Sequence, residues 1–176
     1  MKLVRILLIG LIALGGIYLV LCFTGPKKFE TSKSISINAD AASVYAMVSD
    51  FNQWPQWSPW SKRDPKMTNT IAGSAGTVGH KMDWVSESEG SGSMTIDEVV
   101  VDQKVTTSLK MVDWDAISHA SFIIEPAGDS TKLTWTMDGG DIGFGFRGLM
   151  VVMGAVGQIE KDYTDGLASI KSVIEK

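Results

Sequence analysis

Residues 50–65 read DFNQWPQWSPWSKRDP, and the rest of the chain is parsed from this stretch outward. From Asn52 to Pro65 it holds three Trp and three Pro in fourteen residues. Proline removes a backbone donor and fixes φ, so neither a regular helix nor a central strand runs through it. It is a compact connection whose indole rings cover one end of a core. Two readings of Trp54, Trp57 and Trp60 stay open. They cap a solid core, or they form the mouth of a cavity for an apolar ligand.

On the N-terminal side, Val44, Met47, Val48 and Phe51 recur at i, i+3, i+4 and i+7, the spacing of a short amphipathic helix, with Asp40 placed as its N-cap. Before it, residues 29–38 (FETSKSISIN) alternate, with Ile35 and Ile37 on one face and Ser34 and Ser36 on the other. That is a strand with one buried face.

On the C-terminal side, β signals recur at hairpin spacing. Residues 67–71 form a short edge strand. Val78, His80, Met82 and Trp84 share a face of the next, and Met94 and Ile96 a face of the third. Val105, Thr107, Leu109 and Met111 line the fourth, which ends at Asp113-Trp114-Asp115. Ser118, Ala120, Phe122 and Ile124 line the fifth, and Leu133, Trp135 and Met137 the sixth. Short connections between successive strands predict an antiparallel meander. Residues 139–148 (GGDIGFGFRG) match no phosphate-binding fingerprint and read as a mobile lid or hinge. From Leu149 to Ile174 the pattern predicts one long helix, its apolar stripe formed by Val152, Met153, Val156, Ile159, Tyr163, Leu167 and Ile170.

Composition sets the outer bounds. The 176 residues are enough for one ordinary domain, and 44 % hydrophobic content excludes a disordered chain. The net charge of −4 argues against nucleic acid as a partner. The single Cys excludes an internal disulfide.

Residues 6–23 (ILLIGLIALGGIYLVLCF) carry no charge and, as helix, span about 27 Å, close to the thickness of a bilayer core. An uncleaved N-terminal anchor over residues 1–26 is the leading reading, with one folded domain over 27–176 to follow. A cleaved signal peptide and a lipoprotein signal ending at Cys22 are the competitors, and both lack the small residues their cleavage sites need. Lys2 and Arg5 oppose Lys27, Lys28 and Lys33, so the side of the membrane is undetermined. Without the anchor the domain carries 14 Lys and Arg against 20 Asp and Glu. So acidic a domain is expected to stand off anionic lipid.

The order of elements and several local stretches carry a family likeness. Ser34-Ile35-Ser36-Ile37-Asn38-Ala39, Val44-Tyr45, residues 50–60, Gly76-Thr77-Val78-Gly79, Gly92-Ser93-Met94-Thr95-Ile96 and Thr131-Lys132-Leu133-Thr134-Trp135-Thr136 follow in the expected sequence. The chain over about residues 29–175 resembles the START-like, or SRPBCC, superfamily, in its polyketide cyclase/dehydrase and lipid-transport branch. Asp40 departs from the Pro that many relatives carry there. The resemblance implies an α+β helix-grip fold, a curved antiparallel sheet wrapped round a long C-terminal helix. It also implies a cavity between sheet and helix for a lipid or other apolar molecule, and it includes members with such an anchor.

On this reading Met82, Trp84, Met94, Leu109, Met111, Phe122, Trp135 and Met153 are the candidate cavity residues, and Trp54, Trp57 and Trp60 the candidate mouth. Parity alone does not tell a filled interior from a hollow one. No catalytic set is found. His80 and His119 sit in no metal-ligand spacing, and the only thiol lies in the apolar segment. No metal or cofactor is expected. The leading expectation is a membrane-tethered binding domain for an apolar small molecule or lipid. The alternatives are a module that binds a membrane protein and a cyclase- or dehydrase-type enzyme with His80 as its acid or base.

Overall fold

The computed structural model describes residues 2–112 and 117–176, so the Asp113-Trp114-Asp115 turn lies outside the described residues. The first helix, α1 (Lys2–Thr24), is long and apolar enough to cross a membrane. Seven strands follow among the described residues: β1 (Lys28–Ile37), β2 (Thr68–Ala72), β3 (Lys81–Val85), β4 (Gly92–Val100), β5 (Lys104–Met111), β6 (Ile117–Ala127) and β7 (Ser130–Asp141). They form one antiparallel sheet in the order β1-β7-β6-β5-β4-β3-β2. β2 to β7 make the expected meander. β1 closes the far edge by pairing with β7, with Ile35 opposite Leu133 and Lys33 opposite Trp135. Register shifts between Lys28 and Glu30 and between Ile96 and Glu98 introduce bulges, which bend strands locally and curve the sheet.

Between β1 and β2 lie α2 (Ala41–Ser49), a single 3-10 turn at Trp54–Gln56 and α3 (Pro59–Arg63). Asp40 caps α2 as expected, its Oδ1 accepting from the Ser43 N–H at 2.7 Å. The prolines act where they are tolerated. Pro55 and Pro59 sit in the opening positions of the 3-10 turn and of α3, where a missing N–H costs nothing.

Two expectations are corrected at the C-terminal end. The predicted single helix is two, α4 (Phe144–Met153) and α5 (Ala155–Ile174). The chain turns at Gly154, whose φ of +61° is a left-handed conformation that Gly adopts without steric cost. The Gly-rich lid is also absent as a loop. Residues 139–141 end β7, and residues 144–148 open α4. A third correction is local: Val78 is exposed and precedes β3, because Gly76 and Gly79 turn the chain at φ of +69° and +86°.

α5 lies along the inner face of β1. Lys33 Nζ donates to Glu160 Oε2 at 3.1 Å, Lys171 Nζ to the Ser36 carbonyl at 2.6 Å, and the Asn38 N–H to Glu175 Oε1 at 2.6 Å. The N-terminal end of α5 therefore lies near the start of β1, and so near α1.

Three carboxyls that close this framework are held below their ordinary range by hydrogen bonds: Asp40 by Ser43, Asp64 by the Ser86 hydroxyl at 2.5 Å, and Glu175 by the Asn38 N–H. As pH falls the unfolded chain takes up these protons first. The stabilisation is whole above about pH 5 and is lost through and below the usual carboxylate range near 4. Tm measured from pH 6 to pH 3 should therefore fall, and Glu175→Gln should flatten that fall. A Tm constant across this range would refute it.

Candidate functional site

Register sorts the residues facing α5 into rows across the sheet. At one end Trp84, Gly92 and Met111 are aligned. Next come Ile71, Met82, Met94 and Leu109, then Ile96, Thr107, Ala120, Met137 and Thr31. Val105, Phe122, Trp135 and Lys33 follow, and then Ile124, Leu133 and Ile35. The rows differ in how completely they are covered.

The Trp135 row and those beyond it are filled. The Trp135 indole stacks on Phe122 at 4.8 Å and on Tyr163 of α5 at 3.8 Å. Trp54, Trp57 and Trp60 meet it edge-on at 6.4, 5.5 and 5.9 Å. Trp54 and Trp57 are fully buried, and their Nε1 groups donate to the Val48 and Met47 carbonyls. Only Trp60 of the three is half-buried. Burial of this kind makes Trp54 and Trp57 part of the core and not a rim, because the connection folds inward under α2. Desolvation holds the Tyr163 hydroxyl well above its ordinary value, so it is neutral.

The rows nearer the start of β1 are less completely covered. Trp84, Leu109, Met111 and Met137 on the sheet, and Val156 and Ile159 on α5, are only half-buried. Among the described residues three buried polar atoms have no protein partner: Thr31 Oγ1 and Asn69 Oδ1 in these rows, and Trp135 Nε1 in the row beside them. An indole N–H or a hydroxyl withdrawn from water without a hydrogen bond costs about 1–3 kcal/mol, so such atoms call for an explanation.

The candidate cavity residues divide accordingly. Met82, Met94, Phe122 and Trp135 are buried on the inner face, and Trp84, Leu109 and Met111 lie on that face half-buried. Met153 does not join them. It is 68 % exposed in α4, outside the space between sheet and α5, because the chain turns at Gly154 and changes the helical phase.

One wall is held by a polar cluster that sequence reasoning did not single out. Asp162, on α5 beside Tyr163, is 1 % exposed. Arg63 at the end of α3 donates to both of its oxygens, at 2.5 and 3.1 Å, and to both oxygens of Glu89 at 3.0 and 2.8 Å. Gln158 Nε2 adds a bond to Asp162 at 2.9 Å. The hydrogen bonds to Glu89, then those to Asp162, hold the guanidinium further above its ordinary value. The cluster ties α3, the β3–β4 turn and α5 together. Its sequence signal was weak, because nothing local relates Arg63 to a carboxylate 99 residues away.

His80 is a structural post. It is 1 % exposed, and its ring stacks on Phe51 at 4.8 Å. Nε2 accepts from the Phe51 N–H at 3.1 Å, so the proton sits on Nδ1 and is donated to the Ala72 carbonyl at 3.1 Å. Both nitrogens are thereby occupied by backbone, and the ring does not enter the space between sheet and α5. His119 is exposed on the outer face, 3.7 Å from Asp97. Among the described residues no group of three or more His, Cys, Asp and Glu is placed to hold a metal.

Comparison with known proteins agrees with this architecture. Residues 28–175 match the family described as polyketide cyclase/dehydrase and lipid transport. The chain belongs to that family. No curated protein matches it. Among solved structures, a protein from Chromobacterium violaceum superposes with a TM-score of 0.61 at 13 % identity, over 84 % of this chain and 98 % of that one. KanY protein gives 0.63 at 16 %, over 86 % and 100 %. A protein from Arthrobacter aurescens gives 0.61 at 19 %, over 84 % and 86 %. At these identities the likeness carries the helix-grip fold alone.

Two stability measurements check this description. His80→Ala leaves the Phe51 N–H and the Ala72 carbonyl without partners and opens a hole, so it should cost about 2–4 kcal/mol in denaturant unfolding. Unchanged stability would remove the structural role. The second pair is on α5. A Cβ at Gly166 would lie 2.8 Å from Trp135 Cζ3, whereas none of the atoms around Gly157 lies within 4 Å. Gly157→Ala should raise stability by up to about 1 kcal/mol, and Gly166→Ala should lower it by about 1–3 kcal/mol. The same sign for both would show that α5 is not seated on Trp135.

Proposed function

We propose that this chain is a membrane-tethered domain that holds an apolar small molecule or lipid between the sheet and the N-terminal half of α5. The observation that carries this reading is the pairing of two buried, unpartnered polar atoms, Trp135 Nε1 and Thr31 Oγ1, with half-buried Leu109, Met111, Met137, Val156 and Ile159. A ligand with an apolar body and one oxygen-bearing end would complete both. The body removes the remaining apolar surface from water, and the oxygen accepts from the indole N–H and the threonine hydroxyl. Methionines at the margin adapt to ligands of varied shape. The family's description, which includes lipid transport, supports the same class of ligand.

Retention of α1 as an anchor is the second part of the reading. It is supported by the packing of α1 on the domain: Tyr18 Oη donates to the Gly145 carbonyl at 2.6 Å, and Cys22 is buried. Cleavage before the domain would uncover the face of α4 that these residues cover.

The test uses the full chain, extracted in mild detergent without added lipid and examined by native mass spectrometry. The intact mass reports whether residues 1–26 remain, and the excess mass reports a retained ligand. Leu109→Trp, which fills the half-covered region, should reduce retention about tenfold, equivalent to about 1.4 kcal/mol. Its Tm should stay close to that of the parent. Equal retention by the two would move the ligand elsewhere. A bare chain that takes up nothing from a lipid extract would overturn the reading in favour of an interaction module.

A further inference from the structure

α4 has the sequence FGFRGLMVVM and carries one charge, Arg147. One side of it packs on α1. Tyr18 bonds to the Gly145 carbonyl, Phe23 and Phe144 meet edge to face at 4.9 Å, and a Cβ on Gly148 would lie 2.8 Å from Cys22 Sγ. Gly25 approaches the Arg147 backbone just as closely. These α1 contacts fall between Tyr18 and Phe23, in its last two turns, with Gly25 just beyond. Within the Gly-rich stretch Gly148 therefore serves the close approach of α4 to α1.

Among the described residues the other side of α4 is largely uncovered. Phe146, Leu149 and Met153, spaced i, i+3 and i+7, share it, and Phe146 and Met153 are each 68 % exposed. Beside them Val152 is 67 % exposed. On α1, against which α4 packs, Leu14, Ile17 and Leu19 are also exposed. Exposed large apolar side chains on two helices packed together mark an interaction site.

We propose that α4 is a second membrane contact, an in-plane helix whose Phe146, Leu149 and Met153 side chains lie in the hydrocarbon–headgroup boundary of the bilayer that α1 crosses. The inference rests on the reading of α1 as an anchor and goes beyond it. Depth selects the occupant. If residues 6–23 cross the bilayer, Tyr18 to Phe23 lie at one boundary, and α4 packed on them shares that level. Ten residues of helix, about 15 Å, are too short to span and of suitable length to lie flat. Lys27, Lys28 and Arg147 lie at the same level, where headgroup phosphates are found. The acidic body of the domain would then stand off the surface while α4 does not. The half-covered end of the grip, reached past Gly154, would open beside the acyl chains.

The experiment reads lipid exposure in the full chain, reconstituted in vesicles of phosphatidylcholine and phosphatidylglycerol. In a Cys22→Ser background, nitroxide labels are placed through Phe146→Cys and Met153→Cys, with Ile12→Cys in α1 and Ala168→Cys on the exposed side of α5 as references. The ratio of oxygen to nickel-chelate collision at Phe146 and Met153 should lie between the two references, below that at Ile12 near the bilayer centre and several-fold above that at Ala168. Ratios equal to that at Ala168, with Ile12 still lipid-protected, overturn the inference and leave the anchor intact. Water exposure at Ile12 as well overturns both. Dipolar coupling between labels on two molecules, with both α4 sites hidden from oxygen and nickel, would assign the face to a second copy and overturn it too. Reading two α4 positions keeps the result independent of either substitution.

Discussion

The indole of Trp135 lies between Phe122 of the neighbouring strand and Tyr163 of the terminal helix, with three further Trp rings presented edge-on. Each such ring pair adds about 0.5–1.5 kcal/mol beyond the area it buries. More important is what the stack positions. It joins the sheet, the connection over residues 54–60 and α5 at one point, and Gly166 allows the helix to come that close. A bulkier residue at 166 would lift α5 from the sheet and disturb the rows that depend on its seating.

This anchoring divides the interior in two. Beyond Trp135 the space is occupied by aromatic rings. Before it, towards α1, the helix covers the sheet incompletely, and among the described residues Thr31 Oγ1, Asn69 Oδ1 and the indole N–H of Trp135 itself are buried without protein partners. The Arg63–Asp162–Glu89 cluster fixes the wall at the junction, because a carboxylate as buried as Asp162 is tolerated only with a charged partner and further hydrogen bonds. A filled half and an incompletely covered half therefore follow from one choice of where the large rings sit.

Much of this was legible residue by residue. The alternation of Ile35 and Ile37, the Asp40 cap, the spacing of Val44 to Phe51 and, Val78 apart, the parity of the meander strands are local properties, and each appears in the structure where its pattern puts it. Other features were not local. Trp57 as a core residue and Trp60 as a partly exposed one lie three positions apart in one connection, and only its inward fold separates them. His80 shares its parity with Met82, yet its ring is taken up by backbone groups of α2's exit and of β2. Met153 continued a helical stripe only as long as the helix was assumed to run through Gly154.

The sequence by itself determined the strands, the short helix after the first of them, their order, the antiparallel meander and the long apolar N-terminal helix. These arise from periodicity, capping and turn chemistry acting over a few residues. Only the tertiary structure decided which apolar side chains are packed and which are half-covered, that α4 turns away to meet α1, and that Arg63 finds Asp162. Those outcomes depend on how far apart the sheet and helix are held, and that distance is set by non-local contacts such as Trp135–Tyr163 and Arg63–Asp162, whose partners are far apart in the chain.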